Sequence, residues 1–202
     1  MSGRSHTPQE LDLLREMSNI GAGRAATSLS ELVGRRTVSL SVPRVEALPF
    51  SEVLELLGGP EVPVVGISLQ VRGAFQGDVL LVFSTDDART LAAVVTGRER
   101  GPLDEMGRSA LKEAGNIVTS SYLNALASLI GKTLLPSVPA LAEDMVGAVI
   151  DSLLIAQGEQ GDEALVLVNE FTVAEERLVG YFLLLPGPGT LEAWLGAVKT
   201  RA

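Results

Sequence analysis

The chain has 202 residues, 46% of them hydrophobic, and carries a formal net charge of -9 with one histidine and no cysteine. Its length suits one large domain or two small ones, and its charge argues against nucleic acid or an anionic membrane as main partner, since both reward basic patches. Without cysteine there are no disulfides, thiolate metal sites or cysteine nucleophiles, and His6 alone is too little for a histidine triad or a zinc site.

At the N-terminus, MSGRSHTPQE lacks the apolar stretch of a signal peptide. The longest apolar runs, such as VLLVF and GYFLLLP, have strand length and fall short of a bilayer span. A soluble, cytoplasmic protein is expected. Residues 8–34 read as one helix. Thr7 is a good N-cap, Pro8 suits the first helical position, Glu10 completes a capping box and Gly34 is a stop. Gly21 and Gly23 would each weaken an isolated helix by about 1 kcal/mol relative to Ala, so another backbone, of a sheet or of a second helix, is expected close to them. TVSLSV (37–42) alternates as a strand and ends at Pro43; residues 44–61 are ambiguous, with SEVLELLG a short helix or turn. Segments 62–73 and 75–84 predict a hairpin with Gly73 at its corner. Thr85 should cap a helix that ends at Gly97, and GRERGP (97–102) should link two halves.

The second half repeats that order. A helix over 104–131 is followed by the extended KTLLPSVP, a helical stretch at 142–157 and a polar turn at 158–163. Residues 164–173 and 177–186 predict a second hairpin, and TLEAWLGAVKT a final helix. The predicted fold class is α/β, close to α+β. It is a pseudo-two-fold duplicated unit whose mostly antiparallel sheet carries two long motif-bearing helices and shorter ones, one domain over 1–202 built of repeats at about 8–97 and 104–202.

The repeat also reproduces a surface. At about 100° per residue, Leu11, Leu14, Ala22, Ala25, Leu29 and Leu32 form one apolar stripe with Ser18 and Gly21 inside it. Asp12, Glu16 and Asn19 fall within about 60° of arc on its flank. Ser109, Glu113 and Asn116 share that spacing at an offset of 97 residues, with Ile20/Ile117, Leu29/Leu126, Leu32/Leu129 and Gly34/Gly131 in register. A Glu and an Asn on a helix flank are ordinarily solvated positions. Here the pair recurs where most surface residues around it differ, and Asn in mid-helix costs roughly a few tenths of a kcal/mol each time. Function or a tertiary hydrogen bond must offset that cost.

Asp12-x-x-x-Glu16-x-x-Asn19 and Ser109-x-x-x-Glu113-x-x-Asn116, each followed by a proline, resemble the signature of the CheC phosphatases of bacterial and archaeal chemotaxis, relatives of CheX and FliY. Pro139 follows Asn116 after the family's 22 residues, whereas 23 separate Asn19 from Pro43, the extra one falling in the GRRT turn. NIGAGRAATSLSELVG, SVPRVEALP, SYLNALASLIG and GYFLLLPGPGTLEAWL extend the likeness nearly end to end. The resemblance implies a hydrolase of two-component signalling, a protein phosphatase acting on the aspartyl phosphate of a CheY-type response regulator. It implies that Asn19 and Asn116 orient the attacking water and that Glu16 and Glu113 pair with the receiver's active-site lysine. Asp12 and Ser109 would support them, and Pro43 and Pro139 would fix the turns. These residue types suit the chemistry, because an acyl phosphate with Mg²⁺ bound needs little beyond a positioned, in-line water. A carboxamide can hold that water as donor and acceptor, and an acid bound to a lysine fixes the docking register. The chain is expected to need no cofactor of its own, Mg²⁺ being supplied by the response regulator.

Two other readings compete. One is a non-catalytic adaptor for the receptor deamidase CheD, since AEDMVGAVIDSLL, with Asp144 in it, resembles the family's segment for that contact. The other is a flagellar-switch component like FliY, disfavoured because that relative carries an extra C-terminal domain. No Walker loop or G-x-G-x-x-G supports a nucleotide enzyme. The expected molecule is a monomer with two centres, no nucleic-acid partner and no membrane insertion.

Overall fold

A computed structural model describes residues 8–34, 37–74, 76–157, 163–173 and 176–187. The elements run α1 (Pro8–Leu32), β1 (Val38–Pro49), α2 (Phe50–Leu56), β2 (Pro63–Gly73), β3 (Gly77–Ser84), α3 (Thr85–Thr96), α4 (Glu105–Ile130), β4 (Leu134–Pro136), β5 (Ala140–Met145), α5 (Val146–Gln157), β6 (Glu163–Val173) and β7 (Glu176–Pro186). The strands form one antiparallel sheet in the order β1-β6-β7-β3-β2-β4, with β5 also paired to β2.

That order expresses the duplication. The β2–β3 and β6–β7 hairpins meet at the centre through β3 and β7. Each half then lends its first strand to the hairpin of the other: β1 pairs with β6, and β4 and β5 pair with β2. Central strands alternate between two apolar cores with the period of two that the pleat imposes. Val79, Leu81 and Phe83 face the larger core, where Leu14, Ala22, Ala25 and Leu29 of α1 meet Leu111, Val118 and Tyr122 of α4 and Leu91 of α3. Leu80 and Val82 face a smaller core with Val53 of α2 and Val146, Val149 and Ile150 of α5. The result is three layers, with α1, α3 and α4 on one face of the sheet and α2 and α5 on the other. Among the described residues, no helix is long and apolar enough to cross a membrane.

The long helices end where the sequence indicates. Asp104 caps α4 by accepting the Gly107 N–H at 2.8 Å. Gly34 and Gly131 follow α1 and α4 with φ of 70° and 62°, the left-handed turn that a helix stop uses. Thr7, the capping box of Glu10 and the final helix lie outside the described residues or side chains. Of the two helix glycines, Gly21 meets the expected neighbour, the backbone and ring of Tyr122 on α4, while a methyl at Gly23 would stand in open space.

Three local expectations need correction. Strand β1 does not stop at Pro43 but runs to Pro49. As an edge strand with a bulge between Ser41 and Arg44 it can hold a proline, which has no N–H to donate. Residues 142–145 are not the first turn of a helix. They are the end of β5, because the edge of β2 from Pro63 to Ser68 needs a partner and tertiary pairing overrides the helical composition of Ala-Glu-Asp-Met. The cap of α3 is Ser84, whose Oγ accepts the Asp87 N–H at 3.0 Å, and not Thr85, whose hydroxyl donates to Pro63 O at 3.3 Å.

Candidate active site

The second motif lies on the exposed flank of α4, one turn above the buried Leu111, Ala114 and Val118 that seat the helix on the sheet. Ser109 and Glu113 are exposed and Asn116 is half-buried. With Lys112 they form one wall of an open cleft of about 460 Å³ whose other wall is Pro136, Ser137, Val138 and Pro139. That opposite wall is a bulge. β2 pairs through Val71 with Pro136 and through Ser68 with Ala140, so residues 137–139 stand against Leu69 and Gln70. Ser137 holds the bulge in place: its N–H donates to Gln70 O at 2.8 Å, and its Oγ accepts the Gln70 N–H at 3.0 Å. Val138 is thereby turned outward, 88% exposed, with Leu135 beside it at 59%. Among the described residues, the side chains of Ser109, Lys112, Glu113 and Asn116 make no hydrogen bond or ion pair.

The first motif is built from the same parts and ends differently. Asp12, Glu16 and Asn19 are all exposed on α1, as the helical arc predicts. Asp12 is paired with Arg15 at 3.1 Å, an exposed ion pair worth little. Asn19 is engaged at both ends of its amide: Nδ2 donates to Arg15 O at 3.1 Å, and Oδ1 accepts the Val42 N–H at 3.0 Å. Val42 and the exposed Pro43 form the bulge of β1 opposite Asn169, and Val42 is 1% exposed. Asp144, singled out for a partner contact, is exposed on the edge strand β5 rather than on a helix, and its Oδ1 accepts the Met145 N–H at 2.8 Å.

Sequence reading missed one cleft residue and one buried pair. Lys112 lines the second cleft; its counterpart Arg15 is neutralised by Asp12, whereas Ser109 in the place of Asp12 offers no charge. Tyr122 and Asn169 form a buried polar contact beneath the first bulge, the phenol donating to Asn169 Oδ1 while Asn169 Nδ2 donates to Leu167 O. The signal for the first was present in the charge difference between the two copies; for the second there was none.

Fold and site together define a duplicated three-layer module in which each half presents a Glu and an Asn from one long helix. A family model described as the CheC-like family matches residues 10–46 and 106–143, the two motif helices and the strands after them. The chain is 32% identical over 191 residues to the CheY-P phosphatase CheC of Bacillus subtilis (strain 168), covering 91% of each chain. It is 29% identical over 150 residues to the putative CheY-P phosphatase CheC1 of Halobacterium salinarum, covering 71% of this chain and 75% of that one. FliY of Thermotoga maritima has the same fold, with a TM-score of 0.80 over 98% of this chain and 99% of that one, at 22% identity. The chain belongs to the CheC-like family.

Proposed function

We propose that the chain is a chemotaxis phosphatase that hydrolyses the aspartyl phosphate of a CheY-type response regulator, with Asn116 and Glu113 as the working pair. One observation carries the reading beyond the names of the relatives. A mid-helix Asn must be repaid by function or by a tertiary bond, and among the described residues Asn116 has no tertiary bond. Its free amide faces a cleft open enough to take the phosphorylated edge of another protein.

The receiver brings the phosphoryl group and its Mg²⁺, which supplies the charge neutralisation. The Asn116 amide enters beside the phosphorus and holds a water, Oδ1 accepting from it and Nδ2 donating to it. The water oxygen bonds to phosphorus as the bond to the aspartyl oxygen breaks, leaving a free carboxylate and inorganic phosphate; the water's protons pass to the phosphate and to solvent. Glu113, one helical turn away, pairs with the receiver's lysine and sets the register of docking. The chain supplies position rather than acid–base catalysis, and works as a monomer.

A second reading, an adaptor for a CheD-type partner, is favoured by one feature: Met145 and Ile155 are exposed apolar residues at the two ends of the segment 145–155. The deciding experiment follows the decay of a CheY-type receiver phosphorylated on its aspartate, with and without the protein. Acceleration is expected. Binding of the receiver without acceleration would overturn the phosphatase reading in favour of the adaptor.

A further inference from the structure

The two halves present the same tripeptide, Ser41-Val42-Pro43 and Ser137-Val138-Pro139, at the same bulge of equivalent strands. Yet Val42 is buried and Val138 stands out in solvent. The register between helix and strand explains where the difference arises. Asn19 and Asn116 are 97 residues apart, whereas β1 (Val38–Pro49) and the span Leu134–Met145 are 96 apart. The extra residue of the first half therefore falls between Gly34 and Val38, and β1 sits one residue further from its own Asn than β4 and β5 do from theirs. A one-residue slip changes which backbone and side-chain groups face a neighbour. In the first half that slip accompanies a Val42 N–H aimed at Asn19 Oδ1, and in the second a bulge that stands clear of Asn116.

We propose that the first motif is a closed centre. Asn19 serves as a strut that ties α1 to the bulge of β1, and the second motif is the centre that turns over. The proposal rests on the phosphatase reading above for the word centre, and on the bond pattern alone for the strut. An amide whose oxygen accepts from the Val42 N–H and whose nitrogen donates to Arg15 O keeps one lone pair and one N–H. Those two bonds fix its direction along α1 and β1, and it cannot swing out toward a water on another protein without breaking them. Lys112 completes the contrast. It is uncompensated in the second cleft, while Arg15 in the first is held by Asp12. The strut also explains why a mid-helix Asn is tolerated at position 19 without catalysis: the bond to a partly buried backbone N–H offsets its poor helix propensity.

The test has three arms on the full chain. In receiver-phosphate decay, Asn116→Ala should lose at least about tenfold of the wild-type acceleration, and Asn19→Ala added to it should lower the rate no further. Residual acceleration in Asn116→Ala that vanishes in the double variant would overturn the closed centre. In hydrogen–deuterium exchange, the Val42 amide should be protected in the wild type and open at least about tenfold faster in Asn19→Ala; no change would overturn the strut. In thermal melts both single variants gain the same helix propensity, so the bond is read from their difference, with Asn19→Ala expected to melt about 2–4 °C below Asn116→Ala. Equal melting would overturn the strut. A wild type that binds the phosphorylated receiver without accelerating its decay would overturn the phosphatase reading, and the exchange and melting arms would still decide the strut.

Discussion

Gly21 of α1 and Tyr122 of α4 touch so closely that a methyl group at position 21 would stand 2.8 Å from Tyr122 Cδ1 and 3.0 Å from Tyr122 Cα. Here α1 meets both the ring and the backbone of α4, and neither can withdraw from the core. Gly21→Ala should therefore destabilise the protein. Overpacking costs about 1–3 kcal/mol, against about 1 kcal/mol gained in helix propensity. Gly23→Ala meets open space and should stabilise by about 0.5–1 kcal/mol. Urea unfolding of the two variants side by side checks this, and equal midpoints would contradict the contact.

Tyr122→Phe should cost about 1–3 kcal/mol, because it leaves Asn169 Oδ1 buried without the phenol that donates to it. Leu69 occupies the place of Asn169 in the other half, opposite the second bulge, and is equally buried. Combining Tyr122→Phe with Asn169→Leu should thus recover much of the loss, as removal of both partners does; a double variant no better than the single would refute the pairing. Burial pushes the Tyr122 phenol above its ordinary value near 10.0. Since the folded state resists its ionisation, this group's effect on stability should be flat below about pH 10 and turn unfavourable above it.

The cap of α4 provides a test at acid pH. The carboxyl of Asp104 is held below its ordinary 3.8, first by the Gly107 N–H and then by Arg98, whose Nη1 lies 2.7 Å from Oδ2. A depressed folded pKa means that the contribution is present above the unfolded value and is lost as pH falls through the folded one. Asp104→Asn keeps a capping oxygen that does not titrate in this range. Its melting temperature should lie below that of wild type at pH 6, and the gap should close below about pH 3. A gap independent of pH would show that the carboxylate is not what caps the helix.

Replacing Glu113 with Gln should weaken docking more than turnover. A charge-assisted bond to a lysine contributes about 1.5–3 kcal/mol, so the half-saturating receiver concentration should rise by about tenfold or more while the saturated rate is largely kept. The salt dependence of the wild type should shrink in the variant, because one screened pair is gone. A fall in the saturated rate with unchanged half-saturation would move Glu113 from docking to chemistry.

Much of this molecule could be read from its sequence where the signal is local and periodic. The stripe from Leu14 to Leu29, the span of the second long helix between Asp104 and Gly131 and the stop at Gly97 were legible, as was the hairpin corner at Gly73, with φ of 113°. What was hidden depends on partners far along the chain. Strand β1 continues past Pro43 only because β6, more than a hundred residues later, offers an edge to pair with, and a bulge in β1 takes up the proline. Residues 142–145 become strand only because β2 lacks a neighbour on that side. At the site, the spacing of Glu and Asn was enough to place both on one arc of each helix. It could not show that the two Asn side chains differ in engagement, since both halves read Ser-Val-Pro and the difference lies in one residue of the intervening turn.

The exchange of first strands between the halves has a consequence for synthesis. As the chain leaves the ribosome, α1, β1 and the first hairpin emerge together, but β1 has no strand to lie against until residues up to Val173 have been made. The edge of β2 likewise waits for Leu134–Met145. Pairings so distant in sequence close late and slowly, and in the meantime the nascent first half exposes the unpaired strand edge that invites aggregation. A fragment ending near Gly97 would be permanently in that condition. The duplication has bound its two copies together by making each the template for the other's outermost strand.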